Sequence, residues 1–217
     1  MWHRTEILSL GVGFAVWVLQ IDGLRVPPFV AHDEGDGGLR ALGLDPSSWR
    51  AWIAAIVHAE DSFLEFLSLH DIRTVSASQR DELARLDRER EPPDLWAGTS
   101  SLRSAFDEIW PRYRPIGEDW AQRLTSAKRH SRISPRQDRR LWHELEPYHE
   151  RLATLRIYPV DYVAPAVLAL PPVSCVVAIA DSDPDARTYV DSVIAAAREL
   201  TASNGTVSSG SPSSNGT

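Results

Sequence analysis

Between Glu6 and Asp22 the chain runs for fifteen residues, Ile7 to Ile21, without a charge. A helix that crosses a bilayer needs about 18 to 20 such residues, so the run predicts no membrane span. It does not read as a secretory signal either, because His3 and Arg4 are followed by Glu6 and Leu19-Gln20-Ile21-Asp22 offers no small-x-small cleavage site. The expected compartment is the cytoplasm. Leu8, Leu10, Val12, Phe14, Val16 and Val18 share one parity, while Ser9, Gly11, Gly13 and Ala15 hold the other, which is the alternation of a β-strand. Asp22-Gly23 then supplies a two-residue turn, Leu24-Arg25-Val26 a return strand and Pro27-Pro28 its stop, predicting an N-terminal β-hairpin. Gly11-Val12-Gly13 offers two glycines of a dinucleotide-binding loop. The third position holds Val16, so a close-packed or bulged strand is expected instead.

Residues 31–44 form a glycine-rich, acidic stretch in which Asp33, Glu34 and Asp36 lack the closing glutamate of a calcium loop, so a solvated connector is expected. Asp45 as N-cap and Pro46 at the first helical position open a helix to about Leu69. Its helical spacing of Trp49, Trp52, Ile53, Ile56, Phe63, Leu64 and Leu67 predicts a core-facing stripe. Ser78 and Asp81 suggest a capping box for a polar, peripheral helix that ends at Pro92-Pro93. Two short helices are then predicted, one carrying Leu102, Phe106, Ile109 and Trp110, the other Trp120, Leu124 and Ala127. Ser134-Pro135-Arg136-Gln137 reads as a second capping box, opening a helix to Leu145 that Pro147 kinks or ends.

Leu155–Tyr158 and Val173–Ala180 read as strands, with prolines between them, and Asp181 to Asp185 caps a final amphipathic helix over 184–200. Beyond it the chain is Ser, Gly, Asn and Thr, a composition that favours disorder, with Asn-Gly-Thr sequons at Asn204 and Asn215. Strands at both ends need partners. The expected fold is therefore α+β: a mostly helical single domain over 1–201 with a small, mainly antiparallel sheet built from the N-terminal hairpin and the C-terminal strands, covered by helices 46–69 and 184–200, and a disordered tail over 202–217.

With 43% hydrophobic residues, the 217-residue chain has the composition of a globular protein, and its one cysteine, Cys175, excludes an intramolecular disulfide and a thiolate-rich metal site. Cys175 has no catalytic signature around it and is expected to be buried and inert. Of the 23 basic residues only Lys128 is a lysine, a bias expected of a GC-rich bacterial genome.

Charge is segregated. Arg123 to Arg140 holds seven basic residues and one acid, a net +6 within a chain of −7, so the remainder sums to −13. Arginine makes forked bonds to carboxylates and phosphates alike, which makes Arg129, Arg132, Arg136, Arg139 and Arg140 the candidate partner-binding residues. No aromatic residue interleaves the run, which argues against single-stranded nucleic acid.

Two histidine groups bear on catalysis. His58, Asp61, Ser62 and Glu65 share a helical stripe, with His70 further along, and His143 and His149 lie in the densest His/Glu cluster. Neither has the His-Glu-x-x-His spacing of a helical zinc site, and on a continuous helix His143 and His149 point to opposite sides. No metal and no cofactor are expected. The function first indicated is a non-enzymatic interaction, scaffold or adaptor protein that meets another protein's acidic surface. The alternatives are a metal-dependent hydrolase built on those histidines and carboxylates, and a nucleic-acid-associated module using residues 123–140.

Overall fold

The computed structural model describes residues 3–21, 26–29, 45–71, 73–90, 100–128, 134–162, 164–179 and 187–207. The acidic stretch 31–44, Arg129, Arg132, the Asp181 to Asp185 cap, Asn215 and the turn at Asp22-Gly23 lie outside them. Chain contacts divide the molecule into two compact units, one of residues 8–126 and one formed by residues 1–7 with 127–217.

The first unit is helical. Its α1 spans Leu10–Ile21, where alternation predicts a strand. Val12, Phe14, Ala15, Val16, Val18 and Leu19 are all buried, so this helix is apolar on nearly every side and has no polar face to mark its period. The alternation of large and small residues is a packing pattern instead. A Cβ on Gly11 would lie 3.2 Å from Ile56, and one on Gly13 only 2.3 Å from the Tyr113 hydroxyl. These glycines sit inside a helix, not at a strand-to-helix turn, so neither the phosphate-loop reading nor the bulged strand holds. Ser9 caps the helix by accepting from the Val12 N–H at 3.3 Å, and its hydroxyl donates to buried Glu60 at 2.7 Å.

Helix α2 spans Pro46–Leu69, as its cap and periodicity predict, and Asp45 accepts from the amides of Ser47 and Ser48 at 2.9 and 3.0 Å. Trp49, Trp52, Ile53 and Ile56 are buried. Further along, Phe66 reaches the core while Phe63, Leu64 and Leu67 are only partly covered. Helix α3 spans Ala77–Glu89 and starts two residues earlier than the Ser78/Asp81 box implies. The capping pair is Ser76 with Gln79, whose side chain accepts from the Ser76 N–H at 2.8 Å.

Helix α4 spans Ser100–Lys128 as one element where two are expected, and passes through Pro111 and Pro115. Each proline removes a helical hydrogen bond, yet both are exposed, so water can serve the freed carbonyls. Ile109, Tyr113, Trp120 and Leu124 are buried along one stripe of this helix, and that burial outweighs the interruption. Tyr113 fits against Gly13 and Gly117 and packs on Phe14 and Trp17 with ring centroids 5.1 and 5.5 Å away. Gly13→Ala gains about 1 kcal/mol of helix propensity. Overpacking against a ring that cannot swing aside costs more, about 1–3 kcal/mol. A denaturation midpoint should show net loss of stability, and a stabilised variant would contradict this packing.

The second unit holds a four-stranded sheet of β1 (His3–Glu6), β2 (Thr154–Asp161), β3 (Val167–Leu170) and β4 (Ser174–Ile179) in the order β1-β2-β4-β3. The sheet is mixed, not mainly antiparallel: β1 and β4 run parallel to β2, and only β3 is antiparallel to its neighbour β4. The N-terminal hairpin is not formed, since its first arm is helix α1. The N-terminal strand is instead His3–Glu6, with Arg4 in register with Leu155. Pro159 is tolerated in β2 because it lies beyond the residues paired with β1.

Helix α5 (Pro135–Leu145), a 3-10 turn (Glu146–Tyr148) and α6 (Arg187–Val207) complete this unit. Helix α6 packs on β3 and β4. Helix α2, expected to share that role, belongs to the helical unit and packs there with α1 and α3. Leu141, Leu145, Leu155, Ile157, Val177 and Val193 are among the residues of the core cluster. Helix α6 continues through Ala202–Val207 into the segment expected to be disordered, and Asn204 lies on it; residues 208–217 are outside the described part. Among the described residues no helix is long and apolar enough to cross a membrane.

Two buried ionisable groups in this core contribute to its alkaline behaviour. Burial drives the Cys175 thiol far above its ordinary 9.0, and burial together with the nearby Glu6 carboxylate raises Tyr189 well above 10.0. The Tyr189 hydroxyl donates to Glu6 at 2.5 Å. Because both groups ionise more readily in the unfolded chain, their stabilising contribution is complete below pH 9.0 and is lost progressively above it. Melting temperature should fall as pH rises beyond that point, with a shallower fall in Cys175→Ala. An identical alkaline slope in that variant would contradict the assignment.

Candidate functional site

Helix α5 is anchored from below. Ser134 accepts from the Gln137 N–H at 3.3 Å, Pro135 sits at the first turn, and Leu141 and Leu145, four residues apart, are buried. That phase leaves Arg136, Arg139, Arg140 and His143, at i, i+3, i+4 and i+7, exposed as one stripe. Of the five arginines singled out by sequence, the structure brings these three onto one face; Arg129 and Arg132 are outside the described residues. Arg140 pairs with Asp191 of α6 at 2.7 Å. Arg139 donates through Nε to the Pro135 carbonyl at 3.2 Å, and among the described residues neither Arg136 nor Arg139 has a carboxylate partner. Arg123 lies on α4 and pairs with Asp119 at 3.0 Å.

Trp142 flanks the stripe and keeps 44% of its surface exposed. The Arg4 guanidinium, 5.9 Å from the ring centroid, also donates to Asp138 at 3.3 Å. Neither residue is among the candidates that the sequence singles out. The helical phase from Arg139 does place Trp142 beside the stripe, but nothing local announces that Arg4, on a strand 138 positions away, lies under it.

Trp142, His143, Leu145, Glu146 and His149 line a cavity of about 480 Å³. The two histidines therefore share a pocket rather than pointing to opposite sides, because α5 ends at Leu145 and the 3-10 turn carrying Pro147 redirects the chain. His143 Nδ1 is 3.7 Å from Glu146, while His149 Nδ1 bonds the Glu146 carbonyl.

In the helical unit His58, Glu65 and His70 line a second cavity, about 690 Å³, with Glu82, Arg85 and Glu89 opposite; Asp61 is not part of its lining. His70 Nδ1 bonds the Phe66 carbonyl at 3.0 Å and its ring stacks on Phe66. Among the described residues no group of three His, Cys, Asp or Glu is placed to hold a metal ion. Cys175 is fully buried in the sheet, where desolvation keeps it protonated. No protein-family model, curated protein or solved structure matches this chain.

Proposed function

We propose that this chain is a non-enzymatic interaction or scaffold protein and that the α5 surface is where it meets an acidic face of another protein. One observation carries the reading: three exposed arginines and a half-exposed tryptophan share one helix surface, held rigidly by two buried leucines beneath. Arginine and tryptophan are the side chains that most often dominate binding energy, the first by forked bonds to carboxylates and the second by its large, stiff apolar area. No aromatic residue lies within the run 123–140 for bases to stack on, which favours a protein over a single-stranded nucleic acid.

The test is affinity purification from the source cells with wild type and with Arg136, Arg139 and Arg140 changed together to Gln. Proteins retained by the wild type should present acidic surfaces, elute as salt rises, and be lost with the variant. An unchanged set of bound proteins would overturn the reading. Retained nucleic acid, with the logarithm of affinity falling linearly with the logarithm of salt concentration, would also overturn it, in favour of the phosphate-binding alternative.

A further inference from the structure

The helical unit carries the chemical complement of the α5 surface. Leu69, the last residue of α2, is 71% exposed, more than any other large hydrophobic residue described. Glu65 lies one turn before it on the same helix and is exposed. Glu82 and Glu89 of α3 border the same groove; the one guanidinium among its described lining residues, Arg85, is engaged with both. The end of α2 is thus an apolar knob with an acidic flank. The α5 pocket offers the apolar surfaces of Trp142 and Leu145 beside His143, His149 and Glu146, with Arg136 and Arg139 on the same helix.

We propose that the α5 pocket of one chain receives the Leu69 end of α2 from a second copy, Glu65 meeting Arg136 or Arg139. The choice of a second copy rests on local charge: Glu65 stands exposed beside Leu69, and Arg136 and Arg139 stand exposed on α5 with no carboxylate partner among the described residues, so one chain carries both halves of the contact. Burying Leu69 removes exposed apolar surface, and Arg136 and Arg139, which have no carboxylate partner among the described residues, gain one at the rim of the contact. The inference relies on the reading of α5 as a contact surface and adds the identity of one partner.

Sedimentation velocity of the full chain over a range of protein and salt concentrations tests it. Self-association should grow with protein concentration and weaken with salt. Leu69→Asp, at an exposed position, and the double change Arg136→Gln with Arg139→Gln should each weaken it at least about tenfold with circular dichroism and melting temperature unchanged. Mixed one to one, these variants should form a heterodimer, since each keeps the face the other lost. A wild type that is monomeric throughout, a dimer indifferent to Leu69→Asp, or a mixture that stays monomeric overturns the proposal. If the Arg variant nevertheless loses acidic partners in affinity purification, self-docking alone has failed and the α5 contact surface stands.

Discussion

Trp49→Ala is expected to cost about 3–5 kcal/mol of unfolding free energy, the largest loss of any single truncation in α2. The indole is fully buried, packs edge-on against Phe29 at 5.8 Å and donates its N–H to the Ala15 carbonyl at 2.8 Å. Truncation therefore removes apolar burial, opens a cavity and deletes a buried hydrogen bond at once. Trp49→Phe separates these contributions, retaining an aromatic body while losing the bond, which contributes about 1 kcal/mol. His58→Ala, on the exposed side of the same helix, should stay within about 0.5 kcal/mol. Chemical denaturation followed by circular dichroism reads all three. A near-neutral Trp49→Ala would mean that α2 buries a different face.

Leu145→Ala is expected to cost roughly 2–5 kcal/mol. Leu145 is 1% exposed and belongs to the core cluster with Leu141, Leu152 and Leu155. The same helix carries Arg136 and Arg139, whose replacement by Gln should change stability by less than about 0.5 kcal/mol because both lie in solvent without a carboxylate partner among the described residues. This contrast separates the two roles of α5: the leucines fix the helix and the arginines are free to contact something else. Comparable destabilisation from the leucine and arginine changes would remove the basis for calling the stripe a binding surface.

How far sequence led here depended on whether an element's pattern was local and two-faced. Helix α2 was legible to its ends because Asp45-Pro46 marks its start and its tryptophans recur at helical spacing against a polar face. Helix α1 was misread because it is buried on nearly all sides, and glycines placed for close approach of Ile56 and Tyr113 alternate as a strand would. Strand β1, His-Arg-Thr-Glu, has no apolar signal of its own and exists through pairing with β2 some 150 positions later. The buried run of β4, Ser174 to Ala178, did carry a sign of a sheet with parallel pairing, since strands covered on both faces do not alternate. The Ser134 capping box announces the helix that carries Arg136, Arg139 and Arg140, but the sequence reads them with Arg129 and Arg132 as a run of charge, not as one helix face. The pocket beside that face was not legible, because it depends on the 3-10 turn after Leu145, nor was the contact of Arg4 with Trp142, which comes from a distant strand.

The most direct measurement of the central claim is a titration of the most strongly retained acidic partner at low and high salt. It compares wild type with the Arg136, Arg139 and Arg140 to Gln variant, with melting temperatures recorded in parallel. The account predicts affinity at least about tenfold weaker for the variant at low salt, convergence of the two proteins at high salt, and a melting temperature lowered by no more than the small amount that loss of the exposed Arg140–Asp191 pair costs. Equal affinities accompanied by a larger fall in the variant's melting temperature would show that the arginines hold the fold together and would contradict the account.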